Sequence, residues 1–393
     1  MAYPLTSAGI EASIESAANA YPTLCQRVQL PFSTNSVGVP ARQYSSLLIG
    51  KGAAKPGRPG LLAIAGMHAR EWAQPDACLS FVGKLIDAYK RNVAFVIPAF
   101  TNSAGATFGP LTVTADRVKA IIENVSFFLL PLANPDGREF SMSAKANNLW
   151  RKTRSPCAAP AIPATIGVDP NRNFDIAWDF DVYYSPTVPA DPRLAASKQP
   201  AMENYIGPTP FSEAETKNIK WILDNNNVDF FIDLHSFSLK IMYPWSIETN
   251  QSADAAKNFR NAAFDHRRDG KLGSAYQEYF PDTAPFHSLT RHRQIAEKIR
   301  DAILAATGRN YGAVGGIAEL LSTATGSSTD YAFSRQFTVA GSRQIHSFAI
   351  EFGDDDDHFQ PDPATEYPRI EREVHAALIS LLGYIAIWSG AIS

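Results

Sequence analysis

The chain is poor in cysteine, has no block of basic charge and lacks any long apolar stretch. Its three cysteines, Cys25, Cys78 and Cys157, cannot build a disulfide framework, and no two have zinc-finger or redox spacing. Cys78 falls on an apolar helical face, which predicts a buried, inert thiol. No uninterrupted hydrophobic run can span a bilayer; the best candidate, 378–388, is short and broken by Gly383. The start, Met1-Ala2-Tyr3-Pro4, lacks the basic residues and apolar core of a signal peptide. A soluble protein is expected, cytoplasmic as written and secreted if a leader was trimmed. A net charge of −3 without a Lys/Arg tract gives no footprint for nucleic acid, and no membrane partner is expected. The one charge run, 354–357, reads as a solvated loop. A calcium or substrate-amine site there needs oxygen ligands beyond those the run supplies.

What is present points to an α/β protein. Of 393 residues, 45% are hydrophobic and 19% charged, enough for a large core in one domain. Apolar runs at 61–66, 126–132, 228–234 and 345–352 have the length and continuous hydrophobicity of strands covered on both faces. Segment 75–90 places Leu79, Val82, Leu85, Ile86 and Tyr89 on one helical face. Segment 368–386 does the same with Ile370, Val374, Leu378, Leu381 and Ile385. This alternation predicts a parallel or mixed sheet with packed helices. Residues 154–168 and 176–200, rich in Pro, Ala and Ser, read as surface loops. Residues 250–310 read as a charged, helical surface insertion whose His266, His287 and His292 face solvent. No repeat or linker divides the chain, so one domain over 1–393 is expected.

The chemistry gathers at strand ends. Gly66-Met67-His68-Ala69-Arg70-Glu71-Trp72 follows the apolar run 61–65. A histidine and a carboxylate three positions apart can grip one metal ion, and zinc takes both donor types. His235 ends the run 228–234, at the kind of edge where open α/β sheets assemble sites. His68, Glu71 and His235 then give three ligands with a fourth position open, as catalytic zinc requires. Asp169 is a candidate acceptor for the other ring N–H of a ligating histidine. Glu351 lies inside the hydrophobic run 345–352, where an unpaired carboxylate is costly. It is either the partner of an arginine or a general base for water at the metal, and the second reading is favoured. Arg151, within Leu149-Trp150-Arg151-Lys152-Thr153-Arg154, could face a developing oxyanion. Asn171 and Arg172 suit a bidentate grip on a carboxylate. Together these describe a substrate with a free carboxylate beside a scissile amide.

These residues resemble a known family. The pieces are His-Ala-Arg-Glu-Trp at 68–72, Asn-Pro-Asp-Gly at 134–137 and Leu-Trp-Arg-Lys-Thr-Arg-Ser at 149–155. They continue with Gly-Val-Asp-Pro-Asn-Arg-Asn-Phe at 167–174, Asp-Leu-His-Ser-Phe-Ser at 233–238 and Phe-Ala-Ile-Glu-Phe at 348–352. In this order they resemble the zinc carboxypeptidases of the pancreatic carboxypeptidase A type. The resemblance implies a single α/β domain with a twisted, mixed eight-stranded sheet covered by helices on both faces. It implies one zinc ion on His68, Glu71 and His235, Glu351 as base and acid, and Arg151 at the scissile carbonyl. Asn171 and Arg172 would bind the terminal carboxylate, and Arg70 the upstream peptide. Peptide or protein C-termini are the implied substrates.

Departures from the pattern carry information of their own. Anchored on Asp330-Tyr331, Ser322 stands where the family has a mobile tyrosine, so a capping hydrogen bond worth about 0.5–1.5 kcal/mol is expected to be missing. Members selecting lysine or arginine place an acid at the pocket base, where this chain has Thr329. Its expected neighbours Met242, Ser246, Leu321 and Ala349 are uncharged, which predicts a preference for apolar or aromatic C-terminal residues. The matching region begins near the first residue of the sequence, so no inhibitory pro-domain is expected. Cys157 stands near a family disulfide cysteine without a partner, which suits folding without the crosslink or a reducing compartment. Two other readings compete: an amidohydrolase of N-acyl amino acid conjugates, and a catalytically weak homologue that binds carboxylates. Glu351 and Arg151 weigh against the second, since a pure binder needs neither. Cobalt or nickel could occupy the same ligands.

Overall fold

The computed structural model describes residues 3–53, 55, 57–102, 104–157, 165–189, 194–248, 258–270, 287–355 and 357–391. Its first strands are β1 (Cys25–Gln29), β2 (Ser45–Ile49) and β3 (Gly60–Ala65). Four short strands follow, β4 (Phe95–Ile97), β5 (Phe100–Thr101), β6 (Thr107–Phe108) and β7 (Leu111–Val113), which pair as two small separate sheets. The last are β8 (Ser126–Leu130), β9 (Phe230–His235), β10 (Lys240–Tyr243), β11 (Ala313–Gly316) and β12 (His346–Glu351). The main sheet has eight strands in the order β1-β2-β8-β3-β9-β12-β10-β11. Its centre, β8-β3-β9-β12, is parallel, whereas β2 runs antiparallel to β8 and β10 antiparallel to β12. The sheet is therefore mixed.

The helices are α1 (Ser7–Ala20), α2 (Ala73–Arg91), α3 (Ala115–Asn124), α4 (Pro135–Ser143), α5 (Phe180–Tyr183), α6 (Ala214–Asn225), α7 (His287–Thr307), α8 (Ile317–Leu320), α9 (Ser328–Thr338) and α10 (Tyr367–Trp388). They cover both faces, and the strand period of two shows how. Leu61, Ala63 and Ala65 of β3 enter one core with residues of α2, α7 and α10. Leu62 and Ile64 enter a second core with residues of α6 and α9. Both faces being buried explains the near-continuous apolar runs in the sequence. Each Leu or Ile so buried contributes about 1.5–3 kcal/mol.

The apolar strand and helix segments fall where expected, with ends shifted by one or two residues. Three expectations need correction. In the stretch 250–310, α7 is no surface element: Ile295, Ile299 and Ile303 are buried and pack toward α10. His292 on it is buried too, with its ring tilted against Phe348 and accepting the Ser347 N–H at 3.1 Å, so it does not face solvent. His266 is exposed; residues 249–257 and 271–286, and the His287 side chain, lie outside the described residues. Within 176–200, Phe180, Tyr183 and Tyr184 are buried because α5 seats them in the second core. In the acidic run, Asp357 is buried between Arg309 at 2.6 Å and Arg369 at 3.0 Å, so the run is not simply solvated. No described helix is long and apolar enough to cross a membrane.

Candidate active site

Three neighbouring parallel strands deliver the reactive residues to one edge. The register pairs Ala65 of β3 with Leu234 of β9, and His235 of β9 with Glu351 of β12. Their C-terminal ends are therefore adjacent, the position at which α/β sheets build sites. Gly66 turns the chain out of β3 at φ +62°, where a Cβ would sit 2.7 Å from Leu132 Cδ1. Only glycine fits that turn without a shift. Asn134 fixes the next segment: it caps α4 by accepting the Gly137 N–H at 3.0 Å and donates to the carbonyls of Met67 and Lys152. The Ala69 N–H reaches the Arg151 carbonyl at 3.0 Å. So the Asn-Pro-Asp-Gly motif ties the His68 turn to the Arg151 loop.

His68, Glu71 and His235 are buried, with donor atoms within 4.8 Å of one another. His68 Nδ1 is 2.7 Å from Glu71 Oε1, and His235 Nδ1 is 3.0 Å from Glu71 Oε2 and 3.1 Å from His68 Nδ1. The far ring nitrogens face carboxylates: His68 Nε2 lies 3.4 Å from Asp169 Oδ1, and His235 Nε2 lies 2.9 Å from Asp233 Oδ2. The Asp233 carboxylate behind His235 Nε2 holds the proton there and turns that ring's Nδ1 lone pair inward, while Asp169 faces His68 Nε2 without a hydrogen bond. Three carboxylates thus touch two imidazoles, and Arg151 pairs with one of them, Asp169. The two remaining negative charges and the converging lone pairs fit a single dication. Burial alone would lower the His235 pKa, but Asp233 and Glu71 outweigh it and hold it well above the usual value. Burial would raise Glu71, but the two histidines outweigh it and lower it.

Glu351 ends β12 half-buried, and among the described residues its carboxylate makes no hydrogen bond or ion pair. Burial, helped by Glu71 and Asp233 and opposed by His235 and Arg151, pushes its carboxyl up to about 7. Arg151 donates from Nε at 3.0 Å and Nη2 at 2.8 Å to Asp169 Oδ2. The Asp169 carboxylate also accepts the Asn171 N–H at 3.0 Å, opening the short 3-10 turn Pro170–Arg172. Asn171 Oδ1 accepts the Ser328 N–H at 2.9 Å, which leaves Nδ2 facing the metal group. Arg172 donates to the Ala195 and Asn171 carbonyls.

A cavity of about 140 Å³ opens on these groups. His68, Arg151, Asn171, Arg172, His235 and Glu351 line one part. Met242, Ser246, Ile317, Leu321, Ser322, Ala324, Ser327, Thr329 and Ala349 line the rest. That volume holds one side chain, not an extended ligand. Of the residues expected at the site, Glu71 and Asp169 lie outside the lining, against the histidines they contact, and so does Arg70. Its guanidinium lies outside the lining, 3.2 Å from Glu203 and stacked on Phe359 at 4.2 Å. Sequence reasoning missed Asp233, Ile317, Ala324 and Ser328. Strand alternation could have found Asp233, two positions from His235 on the same face; the others arrive only through the fold. Asp330, below Thr329, is turned away: it accepts the Ser246 N–H, the Ser246 hydroxyl and the Ile247 N–H. Burial pushes it up to about 6 despite those bonds.

The family model for zinc carboxypeptidase matches residues 10–376, nearly the whole chain. The chain belongs to that family. Its members use one zinc ion, and His68, Glu71 and His235 are the group that could hold it here. Carboxypeptidase B of Rattus norvegicus is 30% identical over 209 residues, 53% of this chain and 40% of that protein. Zinc carboxypeptidase A 1 of Drosophila melanogaster is 26% identical over 284 residues, 71% of this chain and 47% of that protein. The chain thus spans less than half the length of these two relatives. Bovine thrombin-activatable fibrinolysis inhibitor, solved in complex with tick carboxypeptidase inhibitor, superposes with a TM-score of 0.66 at 20% identity, covering 97% of each chain. At that identity the likeness shows the fold.

Proposed function

We propose that the chain removes the C-terminal residue of peptides by zinc-dependent hydrolysis, favouring apolar or aromatic residues. One observation carries this reading: no counter-ion among the described residues pairs with Glu351, which stands beside a metal-competent His-Glu-His group in a cavity that also holds Asn171 and Arg172. Zinc, when bound, makes water acidic enough to ionise near neutral pH. Glu351 accepts the proton of the attacking water and returns it to the leaving nitrogen. Arg151, held by Asp169, faces the charge that develops on the scissile carbonyl oxygen. Asn171 and Arg172 grip the terminal carboxylate, which sets the last peptide bond as the one cleaved.

Met242, Ile317, Leu321, Ala324 and Ala349 offer apolar surface to the terminal side chain, with Thr329 at the base. Asp330 is outside the cavity lining and its carboxylate accepts bonds from Ser246 and Ile247. Ser322 lines the cavity where a longer side chain would cap the substrate. The whole chain would act as one catalytic domain.

The test is hydrolysis of N-blocked dipeptides ending in Phe, Leu, Lys or Glu, each also as its C-terminal amide, with and without a zinc chelator. Chelator-sensitive cleavage of the free-acid Phe and Leu substrates is expected. Cleavage of N-acyl amino acids alone would move the assignment to the conjugate amidohydrolase.

A further inference from the structure

We propose that Asp233 and Ser328 are positioning residues that join the zinc ligand His235 and the carboxylate-binding Asn171 in one hydrogen-bonded chain. The identity of the metal rests on the zinc carboxypeptidase reading above; the chain of contacts itself rests on geometry.

Asp233 and His235 share a face of β9 because side chains alternate along a strand. Asp233 is fully buried. Its Oδ2 lies 2.9 Å from His235 Nε2 and accepts the Ser328 hydroxyl at 2.6 Å, while Oδ1 has no hydrogen-bond partner. A buried carboxylate this poorly satisfied is costly to keep, so its contact with the imidazole calls for a role. Ser328 begins α9, and its N–H donates to Asn171 Oδ1 at 2.9 Å. That bond fixes the amide, so Asn171 Nδ2 approaches His235 Nε2 at 3.4 Å. With the Nε2 proton given to Asp233, His235 cannot accept from Asn171, and the amide N–H stays available to a ligand carboxylate.

Asp169 makes the matching arrangement on the other side. It faces His68 Nε2 and accepts the Asn171 backbone N–H. Each imidazole is thus backed by a buried aspartate whose second contact leads to Asn171. Two consequences follow for Asp233. A carboxylate behind the ring makes Nδ1 a stronger donor and tightens the metal. The same carboxylate, through Ser328, sets the direction in which Asn171 points.

The experiment uses the full chain, stripped of metal and titrated with zinc against a chromophoric chelator, with no peptide present. Asp233→Asn is expected to weaken zinc by about 10–100-fold. Ser328→Ala should weaken it less, and Ser328→Thr, which keeps the hydroxyl, should restore it. In the zinc-saturated protein, calorimetry with 3-phenylpropanoate reads the second half: Ser328→Ala is expected to weaken this carboxylate, and Ser328→Thr to restore it. Asp233→Asn with a native circular dichroism spectrum and zinc affinity within twofold of wild type overturns the proposal. If Asp233→Asn fails to fold, equal zinc and carboxylate affinities in Ser328→Ala and Ser328→Thr overturn it instead. Zinc affinity is read without hydrolysis, so a failed peptidase assay and a failed hydrogen-bonded link give separate results.

Discussion

Glu351 lies opposite His235 in the parallel register of β9 and β12, yet no cation pairs with its carboxylate among the described residues. An acid that merely filled the sheet would carry a partner, since an unpaired buried charge is costly. Replacing it by its uncharged isostere should separate holding from turnover. Glu351→Gln is expected to bind one zinc and 3-phenylpropanoate as wild type does while kcat falls by roughly 10²–10⁴-fold. Unchanged kcat on N-blocked Phe dipeptides would show that another group takes the proton.

Arg172 gives a prediction about which substrates suffer. Arg172→Ala removes one charge-assisted contact to the terminal carboxylate, worth about 1.5–3 kcal/mol. A loss of roughly 10–100-fold in kcat/KM is expected on free-acid substrates, with C-terminal amides changed little. Equal losses on both would contradict the clamp.

Specificity should follow Thr329. The wild type is expected to prefer a C-terminal Phe over Lys in kcat/KM, because among the described residues the part of the cavity away from Glu351, lined by Met242, Ile317, Leu321, Ala324, Thr329 and Ala349, carries no acid. Thr329→Asp should raise the Lys value and lower the Phe value. A wild-type protein that prefers Lys would overturn the apolar reading.

Away from the site, His375 on α10 makes a pH prediction. It is buried against α2, facing the Ala77 carbonyl at 3.1 Å and the rings of Phe81 and Phe95. Burial, together with Lys84 and Arg372 and against Glu371 and the Ala77 carbonyl, pushes its pKa down to about 3. The unfolded chain, with an ordinary histidine near about 6.5, binds a proton there that the folded chain refuses. Its stabilising contribution is therefore complete above that value and is lost as pH falls from about 6.5 toward 3. The slope from this one group is at most about 1.4 kcal/mol per pH unit. In urea unfolding, His375→Leu should show a shallower loss than wild type between pH 6.5 and 4.5. Parallel curves would mean that His375 is charged when folded.

How much could be read from the chain depends on the kind of element. β3, β8, β9 and β12 are buried on both faces, so each shows as a near-continuous apolar run, broken in β9 by Asp233 and in β12 by His346, Ser347 and the terminal Glu351. β10, which reads Lys-Ile-Met-Tyr, and β11, which reads Ala-Val-Gly-Gly, are too short and too mixed to show a period. In α7 the buried Ile295, Ile299 and Ile303 do keep helical spacing, but the surrounding charge hides them. His68, Glu71 and His235 stand out because each ends or follows a buried strand. Ser328 and Ile317 carry no local signal; only the packing of α8 and α9 against the sheet brings them to the site. Arg70, named from its motif, is held aside by Glu203 and Phe359, contacts that no local spacing reveals.

His68 and His235 meet across 167 residues of chain. Closing so long a loop precedes any metal contact, and non-local strand pairing of this kind is slow. The ion therefore cannot act as a seed for folding in the way it does in small metal-stapled domains. It is captured by a pocket whose walls already stand, and it prolongs the life of the finished protein by mass action, in proportion to the free metal around it.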